Sequence, residues 1–226
     1  MNWQDEGYLL SKKKFKENAN IVNVFTNSFG KVSGIVYGGS SRKVRNYLQI
    51  SNKIFVFYNS KSENKIGYFK TELVEAISPK YFNNKKKTSA LLSLTSVLNI
   101  LLPDSQSYKN IYSSLENLIK NFNHERWIFF YINWELNLIK ELGFDVNLEK
   151  FKEKNFNSNK IVNLDIDGIK YKIPKFLLQN DAEKEIESNL IKQALIFTRN
   201  IMLNKFFLPN NLTLPRSRIL LENYFN

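Results

Sequence analysis

The chain has no cysteine, a single histidine and only five prolines. Without cysteine there can be no disulfide, no thiolate nucleophile and no cysteine-based zinc site. With His124 alone, a histidine metal cluster is excluded as well, and most nucleophile–base pairs of covalent catalysis are unavailable. His124 itself reads as an exposed residue of a loop or a helix start. There is no phosphate loop of the GxxxxGK[ST] type and no GxGxxG fingerprint, which speaks against ATP-driven chemistry. No metal and no cofactor are expected. Long apolar runs are also missing. The longest apolar-rich segment, Trp127 to Phe144, contains Glu135, Lys140 and Glu141, so it reads as a buried helix and not a membrane span. Met1 to Gly7 is acidic and has no apolar stretch of the signal-peptide kind. A cytoplasmic protein with no membrane partner is the simplest expectation.

What is plentiful is positive charge. Lys and Arg number 33 against 21 Asp and Glu, a formal net charge of +12 over 226 residues. Apolar residues make up 43%, enough for a globular chain with one large core or two small ones. The charge balance favours polyanionic partners such as DNA, RNA, anionic lipid or an acidic protein tail. Lysine outnumbers arginine 27 to 6, and asparagine is frequent; a drift towards AT-rich codons has the same result, so where the charge lies says more than its total. The first 75 residues hold 12 Lys and Arg against 6 Asp and Glu, a net +6, and the other 151 residues share the remaining +6.

An α+β organisation follows from the patterning. Five β-like runs separated by turn signals occupy the first part: Gly7 to Ser11, Ala19 to Thr26, Lys31 to Tyr37, Ile54 to Tyr58 and Gly67 to Val74. This spacing suits a small five-stranded barrel of the OB type, placed at residues 1–79. From residue 80 the apolar period becomes helical. Leu91 to Leu102, Ile111 to Phe122 and Glu125 to Leu142 predict three helices, the last apolar on nearly all sides and closed by Gly143. A segment at about 145–180 follows, with a small hairpin over Lys160 to Ile173. Ala182 to Leu208 contains a last long helix, and Pro215 starts a short terminal one. Residues 80–226 thus form a mostly helical domain with a cysteine-free hairpin insertion.

The strongest candidate site is Gly30 to Arg45. An apolar strand runs into Gly38-Gly39-Ser40-Ser41, and the turn opens onto Arg42, Lys43 and Arg45 with no carboxylate between. Cations at the tip of a β-structure suit a grip on a nucleic-acid backbone; a solvated hairpin tip is the plain alternative. Tyr37 and Tyr47 flank the loop, and Phe55, Phe57, Tyr58, Tyr68 and Phe69 lie on nearby strands. Rings interleaved with cations suit single-stranded nucleic acid, with most of the rings filling the barrel core and one or two, from among Tyr37, Tyr47 and Tyr58, expected to face outward. Asp165 and Asp167 fall on one side of a strand, as a metal nuclease could use, but Asp167-Gly168 reads first as a hairpin turn. A basic RNA-binding OB protein is a further possibility.

Four sets of residues, in order along the chain, resemble the RecO family of bacterial recombination mediators. They are Trp3 to Leu10 with Glu17 and Val22 to Thr26; Gly30-Lys31 through Gly38-Gly39 and Arg42-Lys43 to Leu48-Gln49; Trp134-Glu135-Leu136 with Glu141 to Phe144; and Phe197-Thr198-Arg199 with Leu214-Pro215 and Arg218. The resemblance implies an N-terminal OB-fold and a helical C-terminal domain. It also implies binding of single- and double-stranded DNA, annealing of complementary strands, and help for RecA in loading onto strands covered by the single-strand-binding protein SSB, with RecR as partner. No nucleotide is hydrolysed in that role. By match to the family's basic loop, Lys31, Arg42, Lys43 and Arg45 would meet DNA, while Tyr37 stands where the family usually has a cation. Some members hold zinc through cysteines after the Glu-Leu-Gly motif, which this chain cannot do. In the helical domain, a pocket for the acidic, phenylalanine-ended SSB tail needs apolar walls and a rim cation. Trp134, Leu138 and Leu142 would supply the walls, and Arg126 or Arg199 the cation.

Overall fold

The computed structural model describes residues 1–39, 41–61, 65–151, 160–178 and 186–225. Ser40 of the glycine turn, residues 152–159 and 179–180 of the insertion and the expected start of the last helix at 182–185 lie outside them.

Apolar runs separated by turns build five strands, buried along most of β2 and β3 and alternating buried and exposed at the start of β5: β1 Asn2–Lys16, β2 Ala19–Thr26, β3 Gly30–Tyr37, β4 Lys53–Asn59 and β5 Gly67–Glu75. They close into a barrel in the order β1-β2-β3-β5-β4, the strand order of an OB-fold. The expected first strand, Gly7 to Ser11, is the middle of a much longer one. β1 pairs with β4 through residues 2–8 and with β2 through residues 7–16, so one strand serves both sides of the closure. Register shifts at Leu9/Ser11 and Lys14/Lys16 let it bend between the two partners. The other closing contact is parallel, Gly34 beside Gly67 and Ile35 beside Tyr68. Small residues are needed there, because a Cβ on Gly34 would lie 2.3 Å from the Phe69 ring. Leu9, Val22, Val24, Val32, Val36, Leu48, Ile54, Val56 and Phe69 fill the interior.

Helix α1, Arg42–Tyr47, occupies the connection from β3 to β4. These two strands do not pair with each other, so the basic segment is a helical turn across the barrel and not the hairpin tip that its glycines suggest. The fully buried Asn52 ties it in place. Its Nδ2 donates to Tyr47 O at 2.9 Å, and its Oδ1 accepts from Ile77 N and Ser78 N, each at 2.9 Å. A 3-10 turn at Ser78–Tyr81 then leads to α2, Lys85–Leu101, capped by Asn84, whose Oδ1 accepts from Lys87 N.

The chain forms two compact units: Met1–Ser113 with Pro215–Arg218, and Ser114–Leu214 with Ile219–Asn226. The first holds the barrel, α1 and α2. α3, Lys109–Lys120, runs from the first into the second. The second contains α4 Trp127–Glu141, the hairpin β6 Ile161–Ile166 and β7 Ile169–Pro174, and α5 Ser188–Met202, which continues as a π-helical turn over Leu203–Phe207. Gly143, at φ +102°, ends α4 as expected: its N–H donates to Lys140 O, and Phe144 N–H to Ile139 O. A short α6, Arg216–Glu222, closes the chain.

Candidate nucleic-acid interface

Gly38, at φ +69°, turns the chain out of β3, and its N–H donates to Asn18 O at 2.9 Å in the β1–β2 turn. Gly39 then passes so close to Asn20 that a Cβ would lie 2.2 Å from Asn20 Nδ2. Ser41 caps α1, its Oγ accepting from Val44 N. Within α1 the apolar spacing sorts the side chains: Val44 and Tyr47 pack against the barrel core beside the fully buried Leu48. Arg42, Lys43 and Arg45 are left exposed on the other side. Tyr47 is half-buried, and its hydroxyl donates to Thr71 O at 2.8 Å. It anchors α1 to β5 while packing in part against the barrel core.

A second basic run joins this site. Lys12, Lys13, Lys14 and Lys16 lie along the end of β1. Lys12 Nζ donates to Leu48 O at 2.7 Å, which brings the run to the end of α1. Burial first, and then the Arg45 guanidinium, hold the Lys12 ammonium below the ordinary lysine range. Two like charges pressed together in this way favour an anion between or over them. The strand ladder runs from Lys16 to Ala19 and on to Tyr37, so the run also borders the end of β3. The Lys-Lys-Lys-Phe-Lys sequence was the available signal, but only the pairing of β1 brings it to α1.

Lys31 is not part of this cluster. It stands at the opposite end of β3, buried, with Nζ 2.9 Å from Asn99 O and 3.1 Å from Asp104 Oδ1. Tyr37 does border the cluster. It is 55% exposed and stacks on Tyr68, with ring centroids 5.4 Å apart. Its phenol is pushed above the ordinary range by desolvation and, next, by Tyr68. Tyr58 is half-buried and stacks on Trp3 at 4.8 Å.

In the second unit, Trp134 and Leu138 are core residues of α4, Leu142 is half-buried, and Arg126 is exposed at the start of the helix. Arg199 pairs with Glu222, 3.1 Å away. The buried Glu135 carboxylate accepts from Thr198 Oγ1 at 2.6 Å, which ties α4 to α5. Asp165 lies near the end of β6, opposite Lys170, and Asp167 in the β6–β7 turn, where Asp167 and Gly168 both have positive φ. Asp165 Oδ1 accepts from Gly168 N at 2.9 Å, and Asp167 pairs with Lys205. Among the described residues, no group of three or more His, Cys, Asp or Glu could hold a metal ion. No described helix is long and apolar enough to cross a membrane.

Comparison with known proteins gives two family matches: Recombination protein O N terminal over residues 1–77, and Recombination protein O C terminal over residues 84–161. A DNA repair protein RecO of Rickettsia canadensis is 31% identical over 225 residues, covering 93% of this chain and 91% of that protein. A DNA repair protein RecO of Rickettsia felis is 30% identical over 240 residues, covering 100% of this chain and 99% of that protein. The chain also aligns with a solved Entamoeba histolytica asparaginyl-tRNA synthetase at 10% identity and a TM-score of 0.30, covering 95% of this chain and 59% of that one; a likeness that slight carries no argument.

Proposed function

The chain belongs to the RecO family of DNA repair proteins, its barrel being the family's OB-fold, and on that premise we propose that it is a non-enzymatic recombination mediator of the cytoplasm that holds single- and double-stranded DNA, anneals complementary strands and helps RecA load onto SSB-covered DNA. One observation carries the reading: Lys12, at the start of the basic end of β1, donates to Leu48 O at the end of α1, which sets that end of the strand beside the helix that exposes Arg42, Lys43 and Arg45. The barrel thereby offers a field of cations from two elements far apart in sequence. Such a field neutralises phosphates without reading base edges, and suits a protein that must accept any sequence. With two strands neutralised on one surface, their mutual repulsion falls and pairing follows.

The partners proposed are RecR and the SSB tail. For the tail, Leu142 offers partly open apolar surface at the end of α4 with Leu138 behind it in the core, while the exposed Arg126 stands at the start of the same helix, about 24 Å away at 1.5 Å per residue, so the two would meet different parts of an extended tail. Arg199, held by Glu222, is the less suitable rim residue.

The test is equilibrium binding of a single-stranded and a duplex oligonucleotide over a series of salt concentrations. Both should bind, with log K falling linearly in log salt at a slope of about −0.9 per neutralised phosphate on duplex and about −0.7 on single strands. No binding to either at low salt would end the proposal.

A further inference from the structure

Beyond α1 the outer surface of the barrel carries a strip of open rings. Tyr37 is 55% exposed and Tyr68 43%, and the two stack on each other across β3 and β5. Along β5, Tyr68 and Lys70 occupy successive exposed positions. Lys70 stands opposite Phe57 of β4, with Nζ 5.7 Å from the centre of its ring. Phe57, Tyr68 and Lys70 line a cleft of about 610 Å³, together with Trp3, Tyr58 and Asn59. Tyr37 and Tyr68 lie outside an interior already filled by aliphatic residues and Phe69, so they add nothing to that core and their exposed faces are open to a ligand.

We propose that this strip seats the bases of a single DNA strand, while the phosphates run from Lys70 to the cations of α1 and the end of β1. The proposal rests on the DNA-binding reading above and adds to it which form of DNA the rings select. The charge pattern identifies the occupant. Tyr37 directly precedes the turn into Arg42 and Lys43, and Lys16 lies two strands across from it through Ala19. The rings are therefore bordered by cations at the α1 end and by Lys70 within. An apolar peptide or a small apolar ligand has no use for that border, whereas a nucleotide chain needs both. The rings also exclude a duplex from this seat. In a duplex each base is covered on both faces by its neighbours, so a tyrosine has nothing to stack on. Duplex DNA is left to the cations alone, and a separated strand uses cations and rings together.

The experiment uses the full chain with a labelled oligo-dT of about 20 nucleotides, longer than the roughly 4–16 that one OB-fold covers, and with a duplex of the same length. Three variants are compared with wild type: Tyr37→Ala with Tyr68→Ala, Tyr37→Phe with Tyr68→Phe, and Arg42→Glu with Lys43→Glu and Arg45→Glu. Both tyrosines are more than a third exposed, so the barrel retains its core in the alanine variant, and a thermal melt checks this. The alanine variant should bind oligo-dT about tenfold or more weakly and the duplex within about twofold of wild type, and the phenylalanine variant should match wild type on both. An alanine variant that keeps its oligo-dT affinity, while the charge variant loses both ligands, overturns this proposal and leaves the DNA-binding reading standing. Equal loss of oligo-dT and duplex in the alanine variant also overturns it. So does oligo-U RNA bound tenfold or more tightly than oligo-dT by wild type. Wild type that binds neither DNA overturns the DNA-binding reading itself.

Discussion

Lys31 and Lys12 are both lysines of the barrel, yet their surroundings give them opposite tasks. Lys31 is 11% exposed at its side chain and holds the Asn99 carbonyl and the Asp104 carboxylate. Lys31→Met should lower stability by about 0.5–1.5 kcal/mol, the net worth of the hydrogen bond lost to the part-buried Asn99 carbonyl, and change DNA affinity by less than about twofold. Arg42→Ala, Lys43→Ala and Arg45→Ala together should do the reverse: stability stays within about 0.5 kcal/mol per site, and the salt slope of duplex binding becomes shallower by about 0.9 for each phosphate no longer neutralised. Chemical denaturation and salt-dependent binding on the same samples separate the two. Lys12 adds a pH signature. Its folded-state pKa lies below the unfolded value of 10.5, by burial first and Arg45 second. Between the two values the unfolded chain binds more protons, so the charged lysine is a stability penalty at neutral pH that is relieved as pH rises through the folded pKa. A bound phosphate favours the ammonium. In the alkaline range below 10.5, DNA binding should therefore take up a proton at Lys12, and affinity should fall as pH rises. Lys12→Met should flatten that part of the profile in a binding titration.

Among the elements, legibility followed the regularity of the pattern and not length. β2 spans Ala19–Thr26, the bounds expected of it; β3 starts one residue earlier than expected, β5 ends one residue later, and β4 is longer by one residue at each end. β1 was half hidden, because two register shifts interrupt its alternation and its last residues are charged. α1 gave no signal: Val44, Tyr47 and Leu48 make one turn of apolar spacing, too short for a period, and the preceding Gly-Gly-Ser-Ser reads as a loop. The cationic site was consequently legible only in part. Arg42, Lys43 and Arg45 could be named, but the lysines of β1 join them only through the bulged pairing of that strand. The motif residues of the helical unit were legible as residues and not as contacts. Trp134-Glu135 and Phe197-Thr198-Arg199 serve packing, since Glu135 meets Thr198 and Arg199 meets Glu222. Thr198→Val keeps the shape and removes a donor from a buried carboxylate, so it should destabilise the chain by about 1–3 kcal/mol. A urea titration should show a lower midpoint at unchanged slope, with DNA affinity unaltered.

For the whole molecule, the distribution of charge matters more than its sum. A net +12 spread evenly over a lysine-rich chain would only keep it soluble. Here Lys12 ties the basic end of β1 to the end of α1, whose Arg42, Lys43 and Arg45 are exposed, and Lys31 is buried at the other end of β3. Strand annealing needs that concentration, because the repulsion to be overcome lies between two phosphate backbones and no bond has to be made or broken. The most direct measurement is the rate at which two complementary oligonucleotides pair, without nucleotide or metal cofactor, in the presence of wild-type protein and of the Arg42→Glu, Lys43→Glu, Arg45→Glu variant. Wild type should pair them faster than buffer at low salt, the gain should fade as salt is raised, and the variant should lose most of it. A wild-type rate no different from buffer, or a charge variant that anneals as well as wild type, would contradict the assignment of annealing to this cationic surface.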